Sequence, residues 1–373
     1  MAYAFTPGLR VSAATLIERE RVLPLDGEVL VETGQKVGAE DVVARTELPG
    51  DVETVNVVGR LAIEPSDIRR YMLKKEGDPV KAGEPIAETK PLIKWFKTVI
   101  KSPVDGTIES VSEVTGQVLI RLPSKPVEVH AYIDGVVSKT IPKQGCVIRT
   151  YATFIQGIFG IGKERWGTLR LRADGADDTL TPEKIKEDDR GAILIAGALT
   201  TKEAILKAFE CGVVGIITGG LNAVDIKAVL GYDIGVAITG HEETPTTIVV
   251  TEGFGKLAMA QRTWELLARC DTKKASISGA TQIRAGVIRP EVIVPLGKDV
   301  PEDAPQKERD ALKEGDTVRI IRAPYFGLIG TVTKLIPELQ KVESESRLRV
   351  LQVRLKNGEV LTVPRANVEL VEE

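Results

Sequence analysis

The sequence predicts a multidomain protein of mixed α/β and all-β class: a β-rich first part, a middle three-layer α/β part with a mostly parallel sheet, and a small all-β module at the end. Three observations predict it. Asp-Gly units followed by period-two alternation recur through residues 25–137, short apolar runs alternate with helical patterns through residues 192–269, and alternation around an Asn-Gly pair returns near the end. The chain has 373 residues, more than the roughly 250–300 that one core usually serves. Turn-rich and proline-rich stretches divide it into a β-rich domain 1–172, an acidic linker 173–190, an α/β domain 191–296, a linker 297–311 and a last domain 312–373.

In the first domain, Leu25-Asp26-Gly27, Val104-Asp105-Gly106 and Ile133-Asp134-Gly135 each precede an alternating strand. Asp-Gly tolerates positive φ, so these read as hairpin corners. A second repeat interlocks with the first: Gly34 to Ala44 parallels Gly77 to Ala87, which implies two related strand-turn-strand halves. Glu76-Gly77-Asp78-Pro79-Val80-Lys81-Ala82-Gly83, followed by Ser102-Pro103-Val104-Asp105-Gly106 and Gly116-Gln117-Val118, resembles the barrel-sandwich hybrid fold. Biotinyl and lipoyl carrier domains, the C subunit of Rnf-type electron-transport complexes and a module of the largest bacterial RNA polymerase subunit share that fold. The resemblance spans residues 23–122. Carriers hold their modified lysine in an Asp-Lys-Ala or Met-Lys-Met context, and the corresponding stretch here, Glu88 to Lys97, lacks both, so no lipoyl or biotinyl group is expected.

That stretch places Trp95, Phe96 and Lys97 beside Lys90 and Lys94, either as a docking surface for a macromolecule or as a cover over the barrel end. Further on, Gln156 to Gly162 contains GxxGxG outside the strand-turn-helix context of a dinucleotide loop; the run reads as close backbone packing or a mobile apolar loop at a domain junction, or, with Ile158-Phe159 exposed, as an anchor for a protein partner.

In the middle domain, 192–196 is an apolar run typical of a strand buried on both faces, and Thr200 with Glu203 forms a capping box before a helix that ends at Gly212. Strands follow at 213–218, 234–239 and 246–251, with a helix from Asn222 to Gly231 and another over 256–269. Such sheets bind ligands where their strands end. The loops there carry Gly219, Gly220, Gly240, His241, Gly253 and Gly255 as candidate ligand-binding residues, and His241, Glu242 and Glu252 as candidate acid-base groups. The alternative is a set of glycine turns with a solvated His-Glu-Glu loop.

In the last domain, Glu314-Gly315-Asp316-Thr317-Val318 through Gly327-Leu328-Ile329-Gly330-Thr331-Val332, with Asn357-Gly358 beyond, resembles the KOW motif of transcription elongation factors and ribosomal proteins. The resemblance implies a small β-barrel whose contact surface includes Arg322, Tyr325, Phe326 and Lys334. Val318, Ile320, Val332, Val353, Leu355, Val360 and Val363 are its expected core. Residues 312–369 hold ten Lys or Arg against seven Asp or Glu, so this part is +3 while the whole chain is −3. That local asymmetry suits RNA, and a barrel this weakly basic equally suits protein docking.

Composition narrows the function. Two histidines and three cysteines without CxxC spacing imply no metal site and no cofactor, and the isolated cysteines fit reduced thiols in a cytoplasmic protein. The start lacks the apolar core of a secretory signal, and no apolar run is long enough for membrane insertion. The expectation is a non-enzymatic adaptor with a protein partner, RNA as the second candidate through the KOW domain, and a small-ligand or enzymatic site in the α/β domain as the third reading.

Overall fold

The computed structural model describes residues 9–89, 97–231, 243–281, 288–297, 312–320, 325, 328–341, 347–355 and 357–370. The protein is mostly β. Its centre is an eleven-stranded sheet made of β1 (Val11–Val22), β2 (Lys36–Val37), β3 (Gly135–Ile141), β4 (Gly145–Gln156), β5 (Phe159–Ile161), β6 (Arg165–Leu171), β7 (Ala192–Ile195), β8 (Gly215–Leu221), β9 (Thr247–Phe254), β10 (Lys274–Ser278) and β11 (Glu291–Pro295). The order is β5-β9-β8-β7-β6-β10-β11-β4-β3-β2, and β1 pairs along the opposite edge of β4. Only β6, β7, β8 and β9 run parallel; the flanking pairings are antiparallel. The sheet therefore takes strands from both sides of residues 173–190. The expected strand 234–239 lies outside the described residues.

Helices cover both faces of the parallel part. Alternation along β7 sends Leu194 to one side, where it packs with Ala204, Ile205 and Ala208 of α1 (Lys202–Cys211) and Ile226 of α2 (Ala223–Leu230). Ile193 and Ile195 point to the other side, against Leu266 and Leu267 of α3 (Gln261–Arg269). The α1 cap is Thr201, whose hydroxyl accepts from Ala204 N at 3.2 Å, one residue later than the expected box. Thr200 is instead buried at the end of a short strand, Leu199–Thr200, paired with Thr179–Leu180. The segment 173–190, expected as a linker, thus holds a strand, and its Asp189 is 0% exposed and accepts from Arg172 Nε at 2.9 Å.

The first domain holds two cores, one for each copy of the repeat. Val31, Val37, Val43 and Tyr132 pack on Ile148 and Phe154 of the large sheet. Between the paired residues Leu48 and Lys125 the chain leaves to build a separate module around Ile68, Ile86, Ile108, Val118 and Ile120. Each copy closes in the same way: Asp134 Oδ1 accepts from Ala39 N and Asp105 Oδ1 from Ala82 N, both at 2.7 Å. The Asp-Gly glycines do not adopt positive φ; that conformation falls on Gly34 and Gly77 of the other repeat. Gly27, Gly106 and Gly135 are needed because a Cβ there would lie 2.3, 2.3 and 2.5 Å from a facing carbonyl oxygen.

The last domain is a curled five-stranded antiparallel sheet: β12 (Thr317–Ile320), β13 (Ile329–Lys341), β14 (Arg347–Leu355), β15 (Val360–Pro364) and β16 (Val368–Leu370), in the order β15-β14-β13-β12-β16. Val318, Ile320, Val332, Val353 and Val363 fill its core as the alternation requires. Val360 does not. It is 46% exposed and Leu361 turns inward, because residues 360 and 363 cannot share a face of one strand. Among the described residues no helix is long and apolar enough to cross a membrane.

Candidate functional site

The large sheet has a seam. On one face α1 and α2 cover β7 to β9, while the first domain covers β4 and β11 through Ile293. Between the two covers lie β6 and β10, whose register pairs Trp166 with Ser276 and Thr168 with Lys274. Since Ser276 also pairs with Ile293, these four side chains share the face that both covers occupy.

Three cavities follow this seam. One of about 320 Å³ is lined by Ala39, Glu40, Asp134, Trp166, Thr168 and Lys274. The second, of about 310 Å³, adjoins it through Asp134, Lys274 and Pro295 and continues to Lys36 and Arg149. It opens where β4 exchanges one neighbour for another: β3 pairs as far as Arg149, β11 begins at Ala152, and Thr150 and Tyr151 lie between. A third of about 600 Å³ lies beyond Trp166 and is lined by Arg21, His130, Lys163, Glu164, Arg165 and Ser278. The His130 and Trp166 rings stand 5.4 Å apart, and His130 Nδ1 contacts Glu40 O at 2.8 Å.

Beside the seam lies a polar network. Arg21 holds Glu164 with two bonds of 2.8 and 2.7 Å and places its guanidinium 5.3 Å from the Tyr132 ring. Arg19 pairs with Glu291 through Nε and Nη2, and the Tyr132 hydroxyl donates to the same carboxylate at 3.3 Å. Burial opposes the Arg19 charge, yet the Glu291 charge and hydrogen bond prevail and hold its pKa above the usual guanidinium value. Tyr132 is 1% exposed, and its φ of 69° is the left-handed conformation that a bulky residue rarely adopts. Its carbonyl accepts from Ser276 Oγ, which ties the strained residue to β10.

Comparison of the chain with protein-family models and with curated proteins found no match.

The strand-end residues expected to bind a ligand are used by the fold. Gly219 and Gly220 are buried, and a Cβ there would lie 2.3 Å from Leu257 O and 1.9 Å from Gly255 O respectively. Residues 255–259 lie across those strand ends, which is why α3 begins at Gln261 rather than 256. Glu252 Oε1 accepts from Ala260 N at 3.0 Å, just before α3. Gly253, within β9 and paired with Gly220, has φ of 144°, and Gly255, with φ of 91°, turns the chain after the strand. Gly240, His241 and Glu242 lie outside the described residues, as do Trp95, Phe96, Arg322 and Phe326.

Phe159 is not a surface anchor. It is 6% exposed, because β5 pairs with β9 and packs under the helices, and it stacks on the exposed Phe254 at 4.6 Å. Lys97 is exposed and pairs with Glu88 at 2.7 Å. Tyr325 and Lys334 are exposed as expected.

Sequence reasoning missed Tyr132, Glu291, Arg149 and Lys274. The Asp134-Gly135 repeat marked one wall of the seam, but no local pattern joins Tyr132 to a carboxylate 159 residues away.

Burial, followed by the Glu291 and Glu164 charges, raises the Tyr132 phenol well above the usual tyrosine value. The folded state therefore keeps this proton after the unfolded chain has lost it at about pH 10, so its contribution to stability is complete below about pH 10 and declines above. Tyr132→Phe should remove part of the alkaline loss of stability measured by urea unfolding between pH 9 and 11. An unchanged slope would refute the assignment.

Proposed function

We propose that the protein is a non-enzymatic cytoplasmic adaptor that docks onto a protein partner through its β modules, the last domain foremost. One observation carries this reading. β13 and β14 stay paired beyond the core, with Leu339 opposite Arg349, Gln340 opposite Leu348 and Lys341 opposite Arg347. Leu339 is 59% exposed and Leu348, on the opposite face of the ribbon, is also exposed. An isolated two-stranded ribbon is marginally stable in water, and apolar side chains on both of its faces suit insertion into a partner. In this reading the last domain is a KOW-type barrel, the module around Ile108 is a barrel-sandwich hybrid, and the large sheet holds the two as a rigid connector. The buried, unpaired Cys146, Cys211 and Cys270 accord with a reducing compartment.

The immobilised full-length protein should retain a protein from cytoplasmic extract at about 0.15 M salt, and a Leu339→Ser, Leu348→Ser variant with unchanged thermal stability should release it. Equal retention by both would reject the arm as the docking element.

A second reading, RNA binding, is favoured by the outward face of the same sheet. Register places Thr331, Arg354 and Val360 in one row and Lys334, Gln352 and Thr362 in the next, two rows without a carboxylate. Filter binding of single-stranded RNA should then weaken steeply with salt. Lys334→Gln with Arg354→Gln should abolish it.

A further inference from the structure

We propose that the module of residues 49–124 is a hinged head, which swings as one rigid body against the large sheet by bending of the two-stranded stalk that carries it. The inference does not rest on the adaptor reading.

The module is complete in itself. Its core of Val55, Ile68, Ile86, Ile108, Val118 and Ile120 shares no residue with the cores of the large sheet, and Asp105 closes it from within. Its strands and helices pack on one another, and none packs extensively on the large sheet. Among the described residues its ion pairs also stay inside it, as those of Arg69 with Glu76 and Glu113 and of Arg121 with Glu109 do; the links to the rest of the chain are confined to the stalk. Two parts of one chain keep a fixed arrangement when a large apolar interface joins them, and relative motion is the default without one.

The stalk is an antiparallel ribbon with a gap. Leu48 faces Lys125 on the side of the large sheet and Val52 faces Arg121 on the side of the module, one register that is interrupted over 49–51 and 122–124. Within the gap Leu122 N donates to Asp51 O at 2.9 Å. Bonded pairs of an antiparallel ladder recur every second residue, so the next one falls at Pro49 and Ser124. Pro49 has no N–H to give, and the ladder stops there. Gly50 keeps the tethers side by side, since a Cβ there would lie 2.2 Å from Leu122 O. Sideways bending would stretch one tether against the other, whereas bending out of the plane of the ribbon changes the length of neither. One direction is therefore soft. The side-chain links across the gap, Lys125 with Asp51 and Ser124 Oγ with Glu47, join exposed groups and oppose that bending weakly.

The test is pulsed electron-electron distance measurement on the full-length protein carrying two nitroxide labels. Val114→Cys with Lys139→Cys puts one label on the module and one on β3 of the large sheet, and Val114→Cys with Leu73→Cys puts both on the module. All three side chains are exposed, while the native Cys146, Cys211 and Cys270 are buried and stay unlabelled. The first distance distribution should be at least about twice as wide as the second, as a hinge motion requires. Pro49→Thr, at an exposed position, supplies the missing N–H and should narrow the first distribution without altering the second. Equal widths for the two pairs, or a first distribution that Pro49→Thr leaves as wide as before, would each overturn the proposal.

Discussion

Glu291→Ala should destabilise the protein by about 3 kcal/mol, the scale of leaving one member of a largely buried ion pair alone. The carboxylate neutralises Arg19, accepts the Tyr132 hydroxyl, and sits on β11 where that strand joins β10 to β4. Arg19 would retain the Glu18 carbonyl, which accepts from Nη1 at 2.7 Å, and the Phe154 ring at 5.8 Å, neither of which carries a charge. Without Glu291 a cation and a neutral phenol share one partly dry site. The urea midpoint should fall with an unchanged slope, and Glu291→Gln, which keeps the shape and one acceptor, should cost clearly less. A loss below about 1 kcal/mol would show that the pair is worth no more than a surface one.

Gly220→Ala should cost a similar amount, about 2–3 kcal/mol, through overpacking. The added methyl would lie 1.9 Å from Gly255 O and 3.1 Å from Ala198 O, both of them backbone atoms that cannot rotate away. This variant separates two meanings of the same glycine. A Gly220 kept bare for a ligand would tolerate alanine in the free protein, and its thermal stability would match the parent's. A Gly220 kept bare for the chain's own return across the strand ends would not.

Local patterns made much of the architecture legible. The continuous apolar run at Ala192–Ile195 is a strand buried on both faces, and the ends of α1 and α2 at Gly212 and Gly231 are left-handed caps as composition implied. The paired repeats were visible as well, and the structure shows why each needs its Asp-Gly unit: Asp134 and Asp105 receive the same backbone N–H in two separate cores. Phe159 shows where such reading stops. A short apolar segment flanked by glycines is compatible with an exposed loop or with an edge strand, and only its pairing with β9 decides between them.

The seam was not legible, and the reason is distance along the chain. Arg19 and Glu291 are 272 residues apart, Arg21 and Glu164 are 143, and each lies in a segment whose own alternation is satisfied by many partners. Period-two and period-3.6 patterns state which face of an element is apolar; they do not state which element covers it. The sequence by itself determined the strand at Ala192–Ile195, the glycine caps that end α1 and α2, the repeats and the weakly basic last domain. The tertiary structure alone decided that β4 would pass from β3 to β11, that one face of the sheet would be covered half by helices and half by strands, and that Trp166 and Lys274 would line the gap between those covers. Burial of both sheet faces drives that choice, and it is a property of the assembled layers rather than of any one segment.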